Sequence, residues 1–290
     1  MSAPGSAPSL PERPVGRLVP LATRARPFSW ERTLLSLHSW AVFVFLYAPI
    51  LILIVFSFNK SRQTAIWTGF TFDWYGKLFD NELILRAVRN SLMVAGITTV
   101  VATLIGTMVA LALARLDFPG RGMTQAMLYL PIIIPEIVMG AALVTFFGVV
   151  GLRLSIWSVV VAHVTFSISY VAIVVRARLA GFDRALEEAA LDLGATPWMT
   201  FWRVTFPITL PGIVAGALLV FTISIDDYVV TSFVAGVGAT TLPLQIYSML
   251  KVGVTPEVNA VSTLLLLMTV VLIVVSQRLQ QGPSSTGDKK

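Results

Sequence analysis

Six long apolar runs dominate this sequence, and they restrict the chain to a helical fold embedded in a membrane. They cover approximately residues 34–58, 83–114, 123–150, 154–175, 208–235 and 258–275. A helix needs about 20 apolar residues to cross roughly 30 Å of hydrocarbon, and these runs are too continuously apolar for amphipathic surface helices. We therefore expect an all-α, polytopic membrane protein with six transmembrane helices.

Composition and missing motifs exclude several classes of protein. Only 12% of the residues are charged and 56% are hydrophobic, which excludes an ordinary soluble domain. Cysteine is absent, so there is no disulfide framework or thiolate metal site, and two histidines argue against a histidine-based metal site. The sequence contains no phosphate-binding Gly-x-x-x-x-Gly-Lys-Ser/Thr loop, so we do not expect this chain to hydrolyse ATP. In so apolar a chain the net charge of +6 concerns membrane orientation, and we expect no nucleic-acid partner.

The placement of lysine and arginine predicts how the helices cross the membrane. If the N-terminus is inside, basic residues on the inner segments outnumber those on the outer segments by two to one, which favours both termini in the cytoplasm. The Pro- and Arg-rich N-terminal segment and the polar C-terminal segment cannot bury a core, so we expect them to be disordered. The expected organisation is a cytoplasmic tail at 1–33, a first transmembrane helix at 34–58, an outer loop at 59–82, a five-helix core at 83–277 and a second cytoplasmic tail at 278–290.

A polar insert at 176–207 separates the fourth and fifth apolar runs, on the predicted cytoplasmic side. Asp183 is a suitable N-cap, and Gly194 stands where a helix ends in a left-handed residue. Thr196 and Pro197 then have the chemistry of an N-cap and a first helical residue. The insert therefore predicts two short helices joined by a glycine turn. Taken alone, this pattern is equally consistent with a plain helical hairpin that lies on the inner leaflet.

The insert resembles the EAA loop of ABC-importer permeases. Glu188-Ala189-Ala190 is followed after three residues by Gly194, and after nine more by Val204-x-Phe206-Pro207. The pattern of that family ends in Ile-x-Leu-Pro, so this chain differs from it by two apolar replacements. In the family this loop forms a coupling helix that docks into a cleft of the ATPase subunit. The resemblance therefore implies a contact with such a subunit through Glu188, Ala189, Ala190 and Gly194.

Three acidic residues interrupt the apolar runs and are candidates for a substrate path. Glu136 follows Pro135 in the third run, and Asp226 and Asp227 interrupt the fifth run, with no lysine or arginine inside either run. A charged residue at mid-membrane costs about 2.5–3.5 kcal/mol on insertion scales and usually faces a cavity, so we hypothesise a cation path. The alternatives are a hydrogen-bonded structural acid for Glu136 and an ordinary helix end for the two aspartates. His163 is interpreted as a hydrogen-bonded packing residue.

A second resemblance extends from Phe58 to about Leu267, and it is to the second permease subunit of spermidine/putrescine transporters. It rests on Phe58-Asn59-Lys60-Ser61-Arg62, Trp67-Thr68-Gly69-Phe70-Thr71, Pro135-Glu136-Ile137-Val138 and Ser224-Ile225-Asp226-Asp227-Tyr228. Polyamines are methylene chains with ammonium groups, which acids and aromatic faces bind. Further path candidates are therefore Trp67, Trp74, Tyr75 and Tyr228. Aromatic residues at an outer interface are also ordinary membrane anchors, so both interpretations stay open.

These resemblances imply the permease subunit of an ATP-driven ABC importer for putrescine or spermidine, located in a bacterial inner membrane. The implied partners are a homologous second permease subunit, two ATP-binding subunits that hold ATP and Mg²⁺, a periplasmic substrate-binding protein, a small amine substrate and membrane lipid. The chain itself would carry no cofactor. The alternatives are import of 4-aminobutyrate, phosphonate, iron(III) or thiamine by the same architecture, an ATP-independent channel or carrier, and a membrane enzyme that uses Glu136 or the aspartate pair as acid and base.

Overall fold

The computed structural model describes residues 30–62 and 66–280 of the chain, and its regular structure there is helical, which confirms the all-α prediction. Most of the predicted N-terminal tail and residues 281–290 lie outside the described residues. The helices in chain order are α1 (Trp30–Phe56), α2 (Asp73–Asp80), α3 (Glu82–Arg115), α4 (Arg121–Ile133), α5 (Glu136–Val149), α6 (Ile156–Ala180), α7 (Ala185–Asp192), α8 (Pro197–Thr200), α9 (Phe206–Asp226), α10 (Val229–Val234), α11 (Leu242–Val252) and α12 (Pro256–Gln280).

Five helical segments of the described residues are long and apolar enough to cross a membrane. They are 33–56, 82–115, 156–180, 197–226 and 256–278. The pair α4 and α5 makes a sixth if the two bent halves are counted as one span. The count therefore matches the six predicted crossings only when this broken helix is included.

The third apolar run was expected to form one helix, and the structure corrects this. α4 ends at Ile133 and α5 begins at Glu136, with a bend of 111° between them. Pro135 explains the break, because it donates no backbone hydrogen bond and disfavours helical backbone at the residue before it. Ile134 is accordingly extended, with φ −71° and ψ 130°. The break leaves Glu136 at the first position of a new helix.

The chain divides into two compact units by its contacts, one up to Pro49 and the other from Ile50 onward. In the described part of the first unit, Phe43 stacks on Tyr47 one helical turn later, with 6.3 Å between the ring centroids. In the second unit α3, α6 and α9 form the centre of the packing. Their shared core cluster contains Ala102, Ala110, Val171, Val175 and Val220.

A close approach between α3 and α6 depends on Gly106. A Cβ atom at this position would lie 2.7 Å from Cβ of Val171 and 2.9 Å from the carbonyl oxygen of Ile168. Real Cβ atoms do not come so close, and the carbonyl belongs to the backbone of α6. Glycine is therefore required here by packing, because it lets the two helix backbones approach each other.

The polar insert folds partly as its sequence predicts. α7 ends before Gly194, whose φ of +88° is left-handed. The side chain of Thr196 accepts a hydrogen bond from the amide of Met199, and Pro197 occupies the first turn of α8. The amide of Ala185 donates to Oδ1 of Asp183 over 3.0 Å, so this carboxylate does satisfy a donor at the start of α7.

The second predicted short helix is not a separate element. α8 continues through a π-helical turn, Phe201–Thr205, into α9, so that residues 197–226 form one span. The reason is that no helix-breaking residue occurs between Trp198 and Phe206. The π turn ends two residues before Pro207, whose missing N–H already removes a regular helical bond, and the helix widens there without ending.

Replacing Gly106 with alanine should destabilise the protein by about 1–3 kcal/mol, because the added methyl group forces α3 away from α6. Gly96 is the matched control, since it lies on the same helix and a Cβ added there would meet open space. Gly96→Ala should be neutral or stabilising by up to about 1 kcal/mol through helix propensity. Thermal unfolding of the purified protein in detergent measures both. Equal midpoints for the two variants would contradict the packing argument.

Candidate functional site

A cavity of about 420 Å³ lies where the two helix breaks of the second unit meet. Its walls come from the α4–α5 break, the α9–α10 break, and the helices α6 and α12. The lining residues with polar side chains include Glu136, Tyr170, Asp226, Asp227, Tyr228 and Thr269. Four of the seven residues assigned to the substrate path from the sequence are therefore brought together: Glu136, Asp226, Asp227 and Tyr228.

Glu136 is an exposed carboxylate at the first position of α5. Within the part of the chain that the structure describes, no hydrogen bond or ion pair involves its side chain. The positive end of the α5 dipole stabilises a negative charge at this position. The carboxylate oxygens of Glu136 therefore remain available to a ligand.

Asp226 is the last residue of α9, and its surroundings favour a cation. Its side chain accepts one hydrogen bond, of 3.3 Å, from Oγ1 of Thr269, and the residue is exposed. A carboxylate at the C-terminal end of a helix faces the negative end of the dipole, which is unfavourable for it. Among residues 30–62 and 66–280, no lysine or arginine lines this cavity. A positively charged ligand would offset the unfavourable helix dipole at Asp226. It would also supply the cationic partner that the described lining of this cavity lacks.

Asp227 has a different environment from its neighbour, because its side chain is only 6% exposed. Its Oδ2 atom accepts hydrogen bonds from the amide of Thr231 at 2.8 Å and from the hydroxyl of the same residue at 2.7 Å. Its Oδ1 atom accepts from the amide of Val230 at 3.4 Å. These donors are at the start of α10, so Asp227 fixes that helix after the break.

His163 completes this network from α6. The residue is fully buried, its Nε2 atom lies 3.2 Å from Oδ2 of Asp227, and its Nδ1 atom lies 2.8 Å from Oγ of Ser224. Nε2 is also 2.9 Å from the hydroxyl oxygen of Thr231. His163 therefore is the hydrogen-bonded packing residue that its sequence position indicated, and it ties α6 to both sides of the α9–α10 break.

A second, more apolar cavity of about 470 Å³ shares Asp226, Tyr228 and Thr269 with the first. The rings of Tyr228 and Tyr247 lie 4.6 Å apart at its edge. Sequence reasoning missed Tyr247 and Thr269. Their only signal was a polar group on an otherwise apolar helix face, and such groups are common in membrane helices that pack against each other.

The aromatic residues predicted on the outer segment do not line either cavity. Trp74 is buried, and its indole N–H donates to the carbonyl oxygen of Asn59 over 2.8 Å. The hydroxyl of Tyr75 lies 2.7 Å from Oγ of Ser57, and Trp67 is 45% exposed. The structure thus places Trp74 and Tyr75 in the packing of the segment between α1 and α3, because their polar atoms bond to Asn59 and Ser57.

The polar insert between α6 and α9 presents a mostly exposed surface around α7. Glu188 and Ala189 are exposed, Ala190 is partly buried, and the left-handed Gly194 is exposed. Large apolar side chains surround them, since the exposed fractions are 44% for Leu191, 89% for Leu193 and 71% for Trp198. We call this set, from Glu188 to Trp198, the loop surface. An apolar patch with a carboxylate is typical of a protein-binding surface.

Comparisons with known proteins agree on one family. The family described as "Binding-protein-dependent transport system inner membrane component" matches residues 102–282. The spermidine/putrescine transport system permease protein PotC of Haemophilus influenzae is 44% identical over 238 residues, covering 82% of this chain and 93% of the relative. The putrescine transport system permease protein PotI of Escherichia coli K12 is 42% identical over 234 residues, covering 77% of this chain and 82% of the relative.

Solved structures show the same fold at lower identity. A crystal structure of a bacterial ABC transporter that imports the acidic polysaccharide alginate contains a chain with a TM-score of 0.68 and 20% identity. The match covers 87% of this chain and 95% of the other. Inward-facing structures of the MetNI methionine ABC transporter match with a TM-score of 0.58 over 68% of this chain and 94% of the other.

The two adjacent aspartates should differ in their effect on stability. Asp227→Ala removes the acceptor of the Val230 and Thr231 amides and the carboxylate beside the buried His163, and it should lower the free energy of unfolding by about 2–4 kcal/mol. Asp226→Ala removes one long hydrogen bond from an exposed side chain and should change it by no more than about 0.5 kcal/mol. Thermal unfolding in detergent distinguishes the two. A larger loss for Asp226→Ala would refute the roles assigned to these neighbours.

Proposed function

This chain belongs to the family of binding-protein-dependent transport system inner membrane components, and we propose that it forms the polyamine path of an ATP-driven importer. The resemblance inferred from the 188–207 pattern is confirmed by this family match. The chain is accordingly a transport component of the inner membrane rather than an enzyme. Its proposed substrates are putrescine, spermidine or a closely related small amine.

One observation carries the substrate proposal: two carboxylates, Glu136 and Asp226, line the same cavity and have no basic partner within the described ranges. An ammonium group that leaves water needs an anionic partner and hydrogen-bond acceptors, and these oxygens provide both. The methylene chain of a polyamine needs apolar contact as well. The adjoining apolar cavity with Tyr228 and Tyr247 supplies it, and the tyrosine faces add a cation–π attraction.

The relatives support the same substrate class. PotC and PotI are named for spermidine/putrescine and putrescine transport, and this chain covers most of the length of each. The alginate transporter has a related fold at 20% identity, so the fold by itself is compatible with quite different substrates. The cavity and the relatives above 40% identity are therefore what support an amine substrate.

The loop surface supports a proposal for how the path is energised. We assign Glu188, Ala189, Ala190 and Gly194 to the contact with an ATP-binding subunit, because they lie on an exposed, partly apolar surface at the end of a span. Closure of two such subunits around ATP and Mg²⁺ would move α7 as a rigid body and switch the spans from inward- to outward-facing. Under this proposal the loop and both termini would lie in the cytoplasm.

The remaining partners of the assembly follow from the same proposal. A homologous second permease subunit would complete the path in the membrane. A periplasmic binding protein would select the amine and deliver it to the outer side. Trp67, at 45% exposure on the outer segment, remains a candidate for contact with substrate during delivery.

Removing the two cavity charges should impair uptake without affecting assembly. Asp226→Asn and Glu136→Gln should each lower the apparent affinity of putrescine uptake by about 10–100-fold, the equivalent of one lost charge-assisted contact. Asp80→Asn is the matched control, since Asp80 is an exposed acid at the end of α2 and should leave uptake unchanged. Uptake is measured in proteoliposomes that contain the full complex. Normal uptake by the double variant would rule out the charge-lined path.

A further inference from the structure

Two neighbouring glutamates on α7 face in different directions, and the inward one contacts the rest of the chain. Glu188 is exposed on the loop surface, whereas the side chain of Glu187 is only 16% exposed. Successive residues of a helix point about 100° apart, so the two adjacent carboxylates lie on different faces of α7. The family pattern includes Glu188 and leaves Glu187 without a role.

Glu187 joins three elements of the fold at one oxygen atom. Its Oε1 atom accepts hydrogen bonds from Nη2 of Arg115, the last residue of α3, and from Oγ1 of Thr205, the last residue of the π turn. The same Nη2 atom of Arg115 also approaches Oγ1 of Thr205 at 3.4 Å. Thr205 is fully buried. We call Arg115, Glu187 and Thr205 the inner clamp.

A second contact fixes α7 to the same helix end. Nη2 of Arg184, directly before α7, donates to the carbonyl oxygen of Ala114 in α3 over 2.6 Å. This carbonyl belongs to the last turn of α3, where a cation also stabilises the helix dipole. A small pocket of about 40 Å³ lies beside these contacts, and its lining includes Ala114, Arg115, Arg184 and Glu187. Two successive residues of α3 are thus tied to α7 within a few ångströms of each other.

The hydrogen bonds of the inner clamp join α7 to a helix that is distant from it in sequence. Along the chain α7 links α6 to α8 and α9, and Gly181–Arg184 forms the link from α6. The side-chain hydrogen bonds that α7 and Arg184 make to membrane helices, among the described residues, go to α3 and the π turn. The end of α3 is 72 residues away in sequence from Glu187.

We propose that Glu187 is a positioning residue that transmits movement of α7 directly to α3 and α9. This rests on the proposed function, since it assumes that an ATP-binding subunit moves α7. A buried or half-buried ion pair loses much of its attraction when one charge is removed, and the remaining arginine is left uncompensated. Without the carboxylate, α7 can then move with its ATP-binding partner while α3 and α9 lag behind. ATP hydrolysis would continue, but fewer substrate molecules would be imported for each ATP hydrolysed.

The test is the ratio of substrate imported to ATP hydrolysed, measured with the complete complex in proteoliposomes with putrescine. Glu187→Gln should keep the ATP-binding subunits bound and lower this ratio about tenfold. Asp80→Asn is the control, because Asp80 is an exposed acid at the end of α2, outside the inner clamp and the loop surface, and should keep the wild-type ratio. Glu188→Arg should fail differently, by losing the ATP-binding subunits altogether. The charge-exchanged pair Arg115→Glu with Glu187→Arg should recover at least half of the wild-type ratio.

The results that overturn the inference are distinct from those that overturn the proposed function. If Glu187→Gln lowers import and hydrolysis in proportion, the ratio is unchanged and the transmitting role is wrong. If this variant does not assemble, Thr205→Val decides, because it keeps the ion pair and removes only the hydroxyl group. A lowered ratio in Thr205→Val supports the clamp, and a wild-type ratio overturns it. If the wild-type complex imports no polyamine, the proposed substrate fails before any variant is compared.

Discussion

Hydrogen bonding of the backbone in hydrocarbon governs where this chain can interrupt its helices. Lipid offers no partner for a free N–H or C=O group, so non-helical backbone at membrane depth is tolerated only where protein or a water-filled cavity surrounds it. Both interruptions described here obey this rule. The α4–α5 break and the α9–α10 break line the same cavity of about 420 Å³. These two helix breaks, which would be costly in contact with lipid, therefore bring Glu136 and Asp226 to one site.

Two pairs of neighbouring acidic residues have different roles. The role of each residue depends on the helix end and the helix face at which it lies. Asp227 is enclosed by donors from α10 and by His163, while Asp226, one residue earlier, keeps a nearly free carboxylate at the end of α9. The same division occurs on α7, where Glu188 is exposed and Glu187 is bound by Arg115. In both pairs one acid stabilises the fold and the other is available to a partner. This division follows from backbone geometry and could not be assigned from residue type.

Local chemistry made part of the structure predictable from the sequence. The lengths of the apolar runs indicated the membrane spans. Gly194, Thr196 and Pro197 indicated the turn after α7, because caps and turns depend on a few adjacent residues. The 111° bend was not predictable, since Pro135 removes one donor but the angle depends on distant packing. α5 packs against α10 at Gly140, where a Cβ would lie 2.6 Å from the ring of Phe233. The convergence of acids about 90 residues apart in sequence depends on the tertiary structure, and so does the hydrogen bond from the buried Trp74 to Asn59.

The central claim is that a path lined by carboxylates without basic partners selects small polycations in an ATP-driven importer. The most direct measurement is ATP hydrolysis by the reconstituted complex in liposomes, with its binding protein and either putrescine or 4-aminobutyrate. Both solutes contain four carbon atoms, but 4-aminobutyrate ends in a carboxylate where putrescine has an aminomethyl group, and the acids of the cavity repel this carboxylate. The account predicts that putrescine stimulates hydrolysis and that 4-aminobutyrate does not. Stimulation by 4-aminobutyrate with none by putrescine would contradict it.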